Sequence, residues 1–142
     1  MEIQVYTNRQ IPSSLKKPAT QLVGALVEKL ELDIAYLNVI FVKDSELKDL
    51  HKKYLKEDSE TDVITFNLQE TGAIEGEIYI SASRASAQAL DYGVTPTHEI
   101  CRLIVHGCLH LAGYDDHDEV QRKRMKSKED ALTDALHRIF NS

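Results

Sequence analysis

The sequence predicts an α+β fold in which a sheet of about four strands packs with about five helices. Short segments rich in β-branched and aromatic residues indicate the strands, and longer segments with apolar residues three and four positions apart indicate the helices. A single domain is predicted over positions 1–142, because a chain of this length can bury roughly two thirds of the surface that its unfolded form exposes.

Four segments carry the strand pattern, and they cover residues 2–6 (EIQVY), 36–42 (YLNVIFV), 61–68 (TDVITFNL) and 76–81 (GEIYIS). The first segment alternates, as a half-buried strand does, and the second is rich in β-branched and aromatic residues. A polar loop that contains Gly72 separates the last two segments. We therefore expect these two strands to pair as a hairpin or to lie as neighbours in one sheet.

Five segments carry the helical pattern, and they cover residues 13–32, 44–55, 82–93, 95–113 and about 118–140. The fourth has well-marked ends, because Thr95 precedes Pro96 at its first helical position and Gly113 closes it. The last is amphipathic, with Leu132 and Leu136 among its regularly spaced apolar residues. The fourth segment is also strongly apolar, which predicts a central helix.

Composition and charge narrow the class of protein. The chain is 42% hydrophobic and 28% charged, as soluble globular domains are. No segment approaches the ~20 apolar residues of a membrane span, so we expect a cytoplasmic protein with no membrane partner. A net charge of −6 argues against a protein whose whole surface binds nucleic acid, but it is compatible with a local basic patch. The basic run at 122–128 (RKRMKSK) has a simpler interpretation as a solvated helix face.

Two histidines stand four residues apart in the fourth predicted helix. His106 and His110 therefore share one helix face, as the imidazoles of helical metal sites do. Gly113 lets the chain reverse, so that Asp116 or His117 can return as a third ligand. Three protein ligands leave one coordination position of a divalent ion open. The sequence thus predicts a metal site at the end of the central helix.

The cysteines of the chain do not belong to this predicted site. At about 100° per residue, Cys108 lies about 200° from His106 around the helix and Cys101 lies about 140° away. A ligand set without thiolate suits Zn, Ni, Fe or Mn better than a structural zinc finger. We expect one divalent ion, with zinc as the first choice. Cys101 and Cys108 lie about 10 Å apart along the helix, which is too far for a disulfide.

The histidine spacing also matches the zinc peptidase motif H-E-x-x-H, in which the glutamate is the general base. In this chain Gly107 takes the place of that glutamate. Glycine cannot accept a proton, so a peptidase mechanism of this kind lacks its base.

The segment HGCLHLAGYDDH (106–117) resembles the H-G-x-L-H-L-x-G-Y-D-H signature of the YbeY family of bacterial metal-dependent endoribonucleases. TDVITF (61–66) and GEIYIS (76–81) are similar to two further segments of that family, and the resemblance covers about residues 50–117. It implies a single-strand-specific endoribonuclease that matures the 3′ end of 16S ribosomal RNA and acts in ribosome quality control. Ribosomal RNA and small-subunit ribosomal proteins are the implied partners. The alternative is a ribosome-assembly factor that binds RNA or protein and has a mainly structural metal.

Two positions depart from the family pattern. The third histidine of the family stands six residues after the second, where this chain has Asp116, with His117 one position later. The spacing favours Asp116. The arginine that often follows the tyrosine in the N-x-x-Y-R stretch of the family, and that contacts RNA, is replaced here by Leu55. The residues predicted to contact phosphate in its place are Lys53, Lys56 and Arg84.

The resemblance implies catalytic roles for His106, His110 and Asp115. A zinc ion on the two histidines would lower the pKa of a bound water to about 7 and attract a phosphoryl oxygen. Either that hydroxide or the 2′-hydroxyl of the RNA attacks the phosphorus. Asp115 either orients a ligand imidazole or caps the turn.

Overall fold

The fold of the protein is α+β, as predicted, in a computed structural model that describes residues 1–9, 11–55, 63–69 and 71–141. The four strands of this part of the chain are β1 (Glu2–Tyr6), β2 (Ile34–Val42), β3 (Val63–Asn67) and β4 (Ile74–Ser81). The helices are α1 (Lys16–Lys29), α2 (Asp44–Leu55), α3 (Ala82–Tyr92), α4 (Pro96–Leu111) and α5 (Glu119–Leu136). Short 3-10 turns precede α1 (Ser13–Leu15) and follow α5 (His137–Asn141).

The predicted elements differ from the observed ones mainly at their ends. The helix predicted over 13–32 begins as a 3-10 turn, and Pro18 stands in the first turn of α1, where its missing N–H costs no helical hydrogen bond. The helix predicted over 118–140 ends at Leu136 and tightens into a 3-10 turn, as the last turns of helices often do. No helix in the described ranges is both long and apolar enough to cross a membrane.

The sheet has the strand order β1-β2-β4-β3. β1 pairs with β2 and β2 pairs with β4 in parallel, whereas β3 pairs with β4 in antiparallel. The hairpin that the sequence allowed for β3 and β4 is therefore confirmed. In its register Ile64 lies opposite Tyr79, and Thr65 lies opposite Ile78.

The two faces of the sheet bury different helices. Val39 and Ile78 point to the face that packs against α1 and α4, where the main core lies. The next residues along the strands, Ile40 and Tyr79, pack against a smaller cluster around Leu47 of α2 on the other face. α4 contacts α1, α3, α5, β3 and β4, so it is the central helix of the fold. A polar side chain on α4 must therefore find a partner on one of these elements or point into a groove.

Gly107 lets α4 approach the sheet closely. A methyl group at this position would lie 2.8 Å from Cδ1 of Ile78 and 3.0 Å from Oγ1 of Thr65. The first separation is shorter than real carbon contacts and the second is tight, so any side chain at this position would have to displace Ile78 and Thr65. A glutamate after His106 would therefore disturb the packing of α4 on the sheet, which adds to the case against the peptidase interpretation.

Candidate metal centre

His106 and His110 lie one turn apart on α4, and their Nε2 atoms face each other. The two Nε2 atoms are 3.1 Å apart, and the rings meet edge to face with centroids 4.7 Å apart. Two nitrogens on one tetrahedral zinc ion, each about 2.0–2.1 Å from it, stand about 3.3 Å apart. The spacing of the pair is therefore close to that of two ligands of one ion.

A buried carboxylate fixes the ring of His106. Nδ1 of His106 lies 2.6 Å from Oε1 of Glu129, whose side chain is only 3% exposed. An imidazole next to a carboxylate donates from the near nitrogen, so Nδ1 carries the proton and Nε2 keeps its lone pair. This arrangement is typical of metal-binding histidines, because the carboxylate sets both the tautomer and the orientation of the ring.

The surroundings of His110 favour its neutral form. Burial, followed by the nearby His106, lowers the pKa of His110 below its ordinary value. The charges of Asp116 and Asp115, and a hydrogen bond with the backbone of Tyr114, raise this pKa. They do not outweigh the two causes that lower it. A neutral imidazole is the form that binds a metal ion. Two Nε2 atoms that face each other at this distance need a proton or a cation between them, so the pair fits a divalent ion.

Glu129 also belongs to a buried charge network that the sequence did not predict. Arg102 donates to both carboxylate oxygens of Glu99, at 2.8 and 2.6 Å, and to Glu129 at 3.1 Å. Burial alone would raise the pKa of Glu129, but the hydrogen bond and charge of His106, together with Arg102, lower it. The glutamate is therefore a carboxylate at neutral pH and can accept a hydrogen bond from the Nδ1–H group of His106.

A signal for this network is nevertheless present in the sequence. Glu99, Arg102, His106 and His110 follow one another at spacings of three and four in an otherwise apolar helix, so they share one face. Glu129 stands four residues after Met125, at a position where an apolar residue would continue the buried stripe of α5. A charge on the buried face of one helix predicts an opposite charge on the helix packed against it.

The third ligand is not assembled with the two histidines. Among the described residues, no three His, Cys, Asp or Glu side chains are placed to hold a metal ion together. Asp116 lines the same groove as His106, whereas His117 is 82% exposed and pairs with Asp115 at 3.0 Å. Asp115 also accepts a 2.7 Å hydrogen bond from the backbone N–H of Asp116, so it caps the turn. The third ligand and the orienting role of Asp115 stay predictions.

Single substitutions should distinguish the two candidates for the third ligand. We expect Asp116→Ala to weaken zinc affinity more than about 100-fold, since the loss of a direct ligand should exceed the 10–100-fold effect of losing an outer partner. His117→Ala should change the affinity only slightly, because that side chain points into solvent. Competition with a chromophoric chelator measures both affinities. Small, equal effects would mean that neither residue is a ligand.

The two cysteines are buried and form no disulfide. Burial raises the pKa of both Cys101 and Cys108 to about 12. Neither thiol ionises at neutral pH, which agrees with a ligand set that contains no thiolate.

An open groove runs between α4 and α5, and we call it the histidine groove. Its volume is ≈ 760 Å³, within the range of pockets that hold small ligands. Its lining includes His106, Asp116, Arg122, Lys123 and Lys126. The basic residues of the run at 122–128 are exposed to solvent, as predicted, and part of the run also lies beside His106.

The predicted phosphate contacts lie elsewhere. Lys53 is on α2 and lines a separate groove with Glu46, on the face of the sheet opposite to α4. Arg84 is on α3, where its guanidinium is ion-paired with Asp44. Neither lines the histidine groove. Lys56 lies outside the described residues, and contact of all three with RNA stays a prediction.

The comparison with known proteins decides the family. The family model described as "Endoribonuclease YbeY" matches residues 2–137. The chain belongs to the YbeY family. An Endoribonuclease YbeY of Acholeplasma laidlawii is 48% identical over 90 residues, which cover 63% of this chain and 66% of that protein. The YbeY protein of Chlorobaculum parvum is 33% identical over 147 residues, which cover 99% of each chain.

A solved structure shares the fold of this YbeY chain. The solution structure of TM1509 from Thermotoga maritima matches it with a TM-score of 0.68 and 29% sequence identity, over 96% of this chain and 89% of that chain. The YbeY resemblance of the histidine segment is thereby confirmed for the family and for the fold. The coarse activity class that goes with the family name is hydrolysis of RNA within the strand.

Proposed function

We propose that this YbeY chain is a metal-dependent endoribonuclease that cleaves single-stranded RNA during ribosomal RNA processing. Its finer role is maturation of the 3′ end of 16S ribosomal RNA and ribosome quality control in the cytoplasm, beside small-subunit ribosomal proteins. One observation carries the chemical part of this proposal. The Nε2 atoms of His106 and His110 face each other at 3.1 Å, at the edge of an open groove, with Glu129 fixing one ring.

The ion would be held by His106 and His110, with Asp116 or His117 completing the set, and zinc is the first choice. When bound, such an ion supplies Lewis acidity toward the phosphate and a water of lowered pKa. The chain supplies the rest. Glu129 keeps the proton of His106 on Nδ1, burial keeps His110 neutral, and the histidine groove admits a strand to the exposed side of the pair.

The rival function is ribosome assembly with a mainly structural metal. Structural zinc sites are usually closed by four protein ligands, whereas catalytic sites keep one position for water or substrate. His106 borders an open groove together with the predicted ligand Asp116, so water or substrate could reach an ion held there. This open access supports the catalytic interpretation over the structural one.

The proposed function is tested with metal analysis of the untagged protein and an RNA cleavage assay. We expect about one divalent ion per chain and cleavage of an end-labelled single-stranded RNA. A chelator should stop cleavage, and added zinc should restore it, while duplex RNA should be cut far more slowly. A precursor with an extended 16S 3′ end tests the finer role. Bound metal without any cleavage would favour the assembly factor, and cleavage that resists the chelator would refute metal dependence.

A further inference from the structure

The α5 wall of the histidine groove carries three cations that the proposed chemistry does not use. Arg122, Lys123 and Lys126 line this groove together with His106 and Asp116. Positions 122 and 126 are one helical turn apart, about 6 Å along the helix axis. The three side chains therefore form a short positive rim on the wall that faces the histidine, and we call them the α5 rim.

The charge of the α5 rim is only weakly neutralised. Lys123 has Glu119 at 3.5 Å, but both side chains are 78% exposed, and such surface pairs are weak. Lys126 pairs with Asp130 at 3.0 Å and lies 3.6 Å from Glu129, and it is itself 62% exposed. Arg122 has no ion pair within the described part of the chain. All three are therefore available to a larger anion that can displace these contacts.

The acids that border the same groove do not cancel the α5 rim. Glu129 is almost fully buried, and its charge is shared by His106, Arg102 and, at 3.6 Å, Lys126. Asp130 also borders the groove, but it is exposed and offsets only one of the three rim cations, Lys126. Asp116 stands at the histidine end of the groove, where it is a predicted metal ligand. The outer wall thus attracts anions, although the whole chain carries a net charge of −6.

We propose that the α5 rim binds the phosphates of the RNA strand that enters the histidine groove. This inference rests on the proposed function, which supplies RNA as the substrate, and adds the surface that holds it. Lysine and arginine rows that contact phosphates hold a strand in place without reading its bases, and each contact releases counterions. The rim therefore holds RNA independently of sequence, with an affinity that falls as salt rises.

The lysines of α2 offer a rival surface. Lys53 lies on the opposite face of the sheet from α4, in a groove that also contains the acids Glu46 and Asp49. Lys48 is ion-paired with Asp44 at 3.4 Å. An RNA strand bound in that groove would lie on the opposite face of the sheet from His106. It would therefore not run along the histidine groove. Lys53 is itself a predicted phosphate contact, so substitution of Lys48, Lys52 and Lys53 removes the same charge and tests this rival surface directly.

The experiment compares the triple variant Arg122→Gln/Lys123→Gln/Lys126→Gln with the triple variant Lys48→Gln/Lys52→Gln/Lys53→Gln. Fluorescence anisotropy with labelled oligouridylate follows binding in chelator, so that neither cleavage nor metal contributes. Each lost phosphate contact should reduce the salt slope by about 0.7, or about 2 for the rim. A fourfold rise in salt should then weaken the rim variant roughly 15-fold less than the wild type. The α2 variant should keep a slope close to that of the wild type.

The outcomes separate this inference from the proposed function. An unchanged slope in the rim variant, or equal losses in both triple variants, overturns the inference while the wild type still cleaves RNA. A wild-type chain that neither binds nor cleaves RNA overturns the proposed function as well. The double variant Arg122→Gln/Lys123→Gln leaves the surroundings of Glu129 intact. If the triple variant does not fold, the double variant should lose about 1.4 of the slope, and no loss refutes the inference.

Discussion

Replacing both His106 and His110 by alanine should abolish stoichiometric metal binding and RNA cleavage together. The two Nε2 atoms, 3.1 Å apart, are the only pair of facing ring nitrogens at the groove among the described residues, so no second imidazole there can take their place. We expect the metal content of purified protein to fall from about one ion per chain to near zero. Cleavage should fall to the level of chelator-treated wild type. Elemental analysis and the RNA assay measure the two effects on the same sample.

A second histidine pair supplies a matched control for this experiment. His98 and His137 also contact each other, with ring centroids 4.9 Å apart, but they join the start of α4 to the 3-10 turn after α5. The double alanine variant of this pair removes the same chemical groups at a distant place. It should keep its metal and its cleavage activity. If the His106/His110 variant retains metal while the control does not, the metal centre has been assigned to the wrong pair.

The parts of the fold that follow from local patterning were predictable. The segments rich in β-branched residues are strands, and the segments with regularly spaced apolar residues are helices. Thr95 and Pro96 mark the start of α4, where the Thr95 hydroxyl accepts a hydrogen bond from the backbone N–H of His98. The pairing of His106 with His110 also followed, because one helical turn separates them. These features depend on residues close together in the sequence.

Features that depend on distant residues were harder to predict. Glu129 meets His106 across 23 positions, and the contact exists only because α5 packs along α4. The sequence showed polar residues on one face of α4, but it did not show which helix would cover that face. For the same reason the sequence predicts the solvated face of the basic run on α5 but does not show that three of its residues line the histidine groove. Both candidates for the third ligand, Asp116 and His117, lie beyond the turn at Gly113, whose exact path local patterning does not determine.

Replacing Glu129 by alanine should both destabilise the protein and weaken its metal site. The carboxylate is 3% exposed and accepts from Nδ1 of His106 and from Arg102, so its loss leaves a half-buried donor and a partly unpaired, half-buried cation. Breaking a buried ion pair from one side typically costs 3–5 kcal/mol. Because Arg102 keeps Glu99, we expect a loss of about 3 kcal/mol in the free energy of unfolding. Urea denaturation in chelator measures this loss without a contribution from bound metal.

The same residue should affect metal affinity through the tautomer of His106. Without the acceptor at Nδ1, the proton is free to move to Nε2, the atom that would bind the ion, and zinc affinity should fall about 10–100-fold. Glu129→Gln offers an amide oxygen as acceptor, so it should keep the Nδ1–H tautomer in nitrogen NMR while it loses the charge. Glu119→Ala removes the same side chain from an exposed position of the same helix, and it should cost about 1 kcal/mol or less with no change in zinc affinity. Wild-type stability and wild-type zinc affinity in Glu129→Ala would show that the carboxylate neither supports the fold nor orients His106.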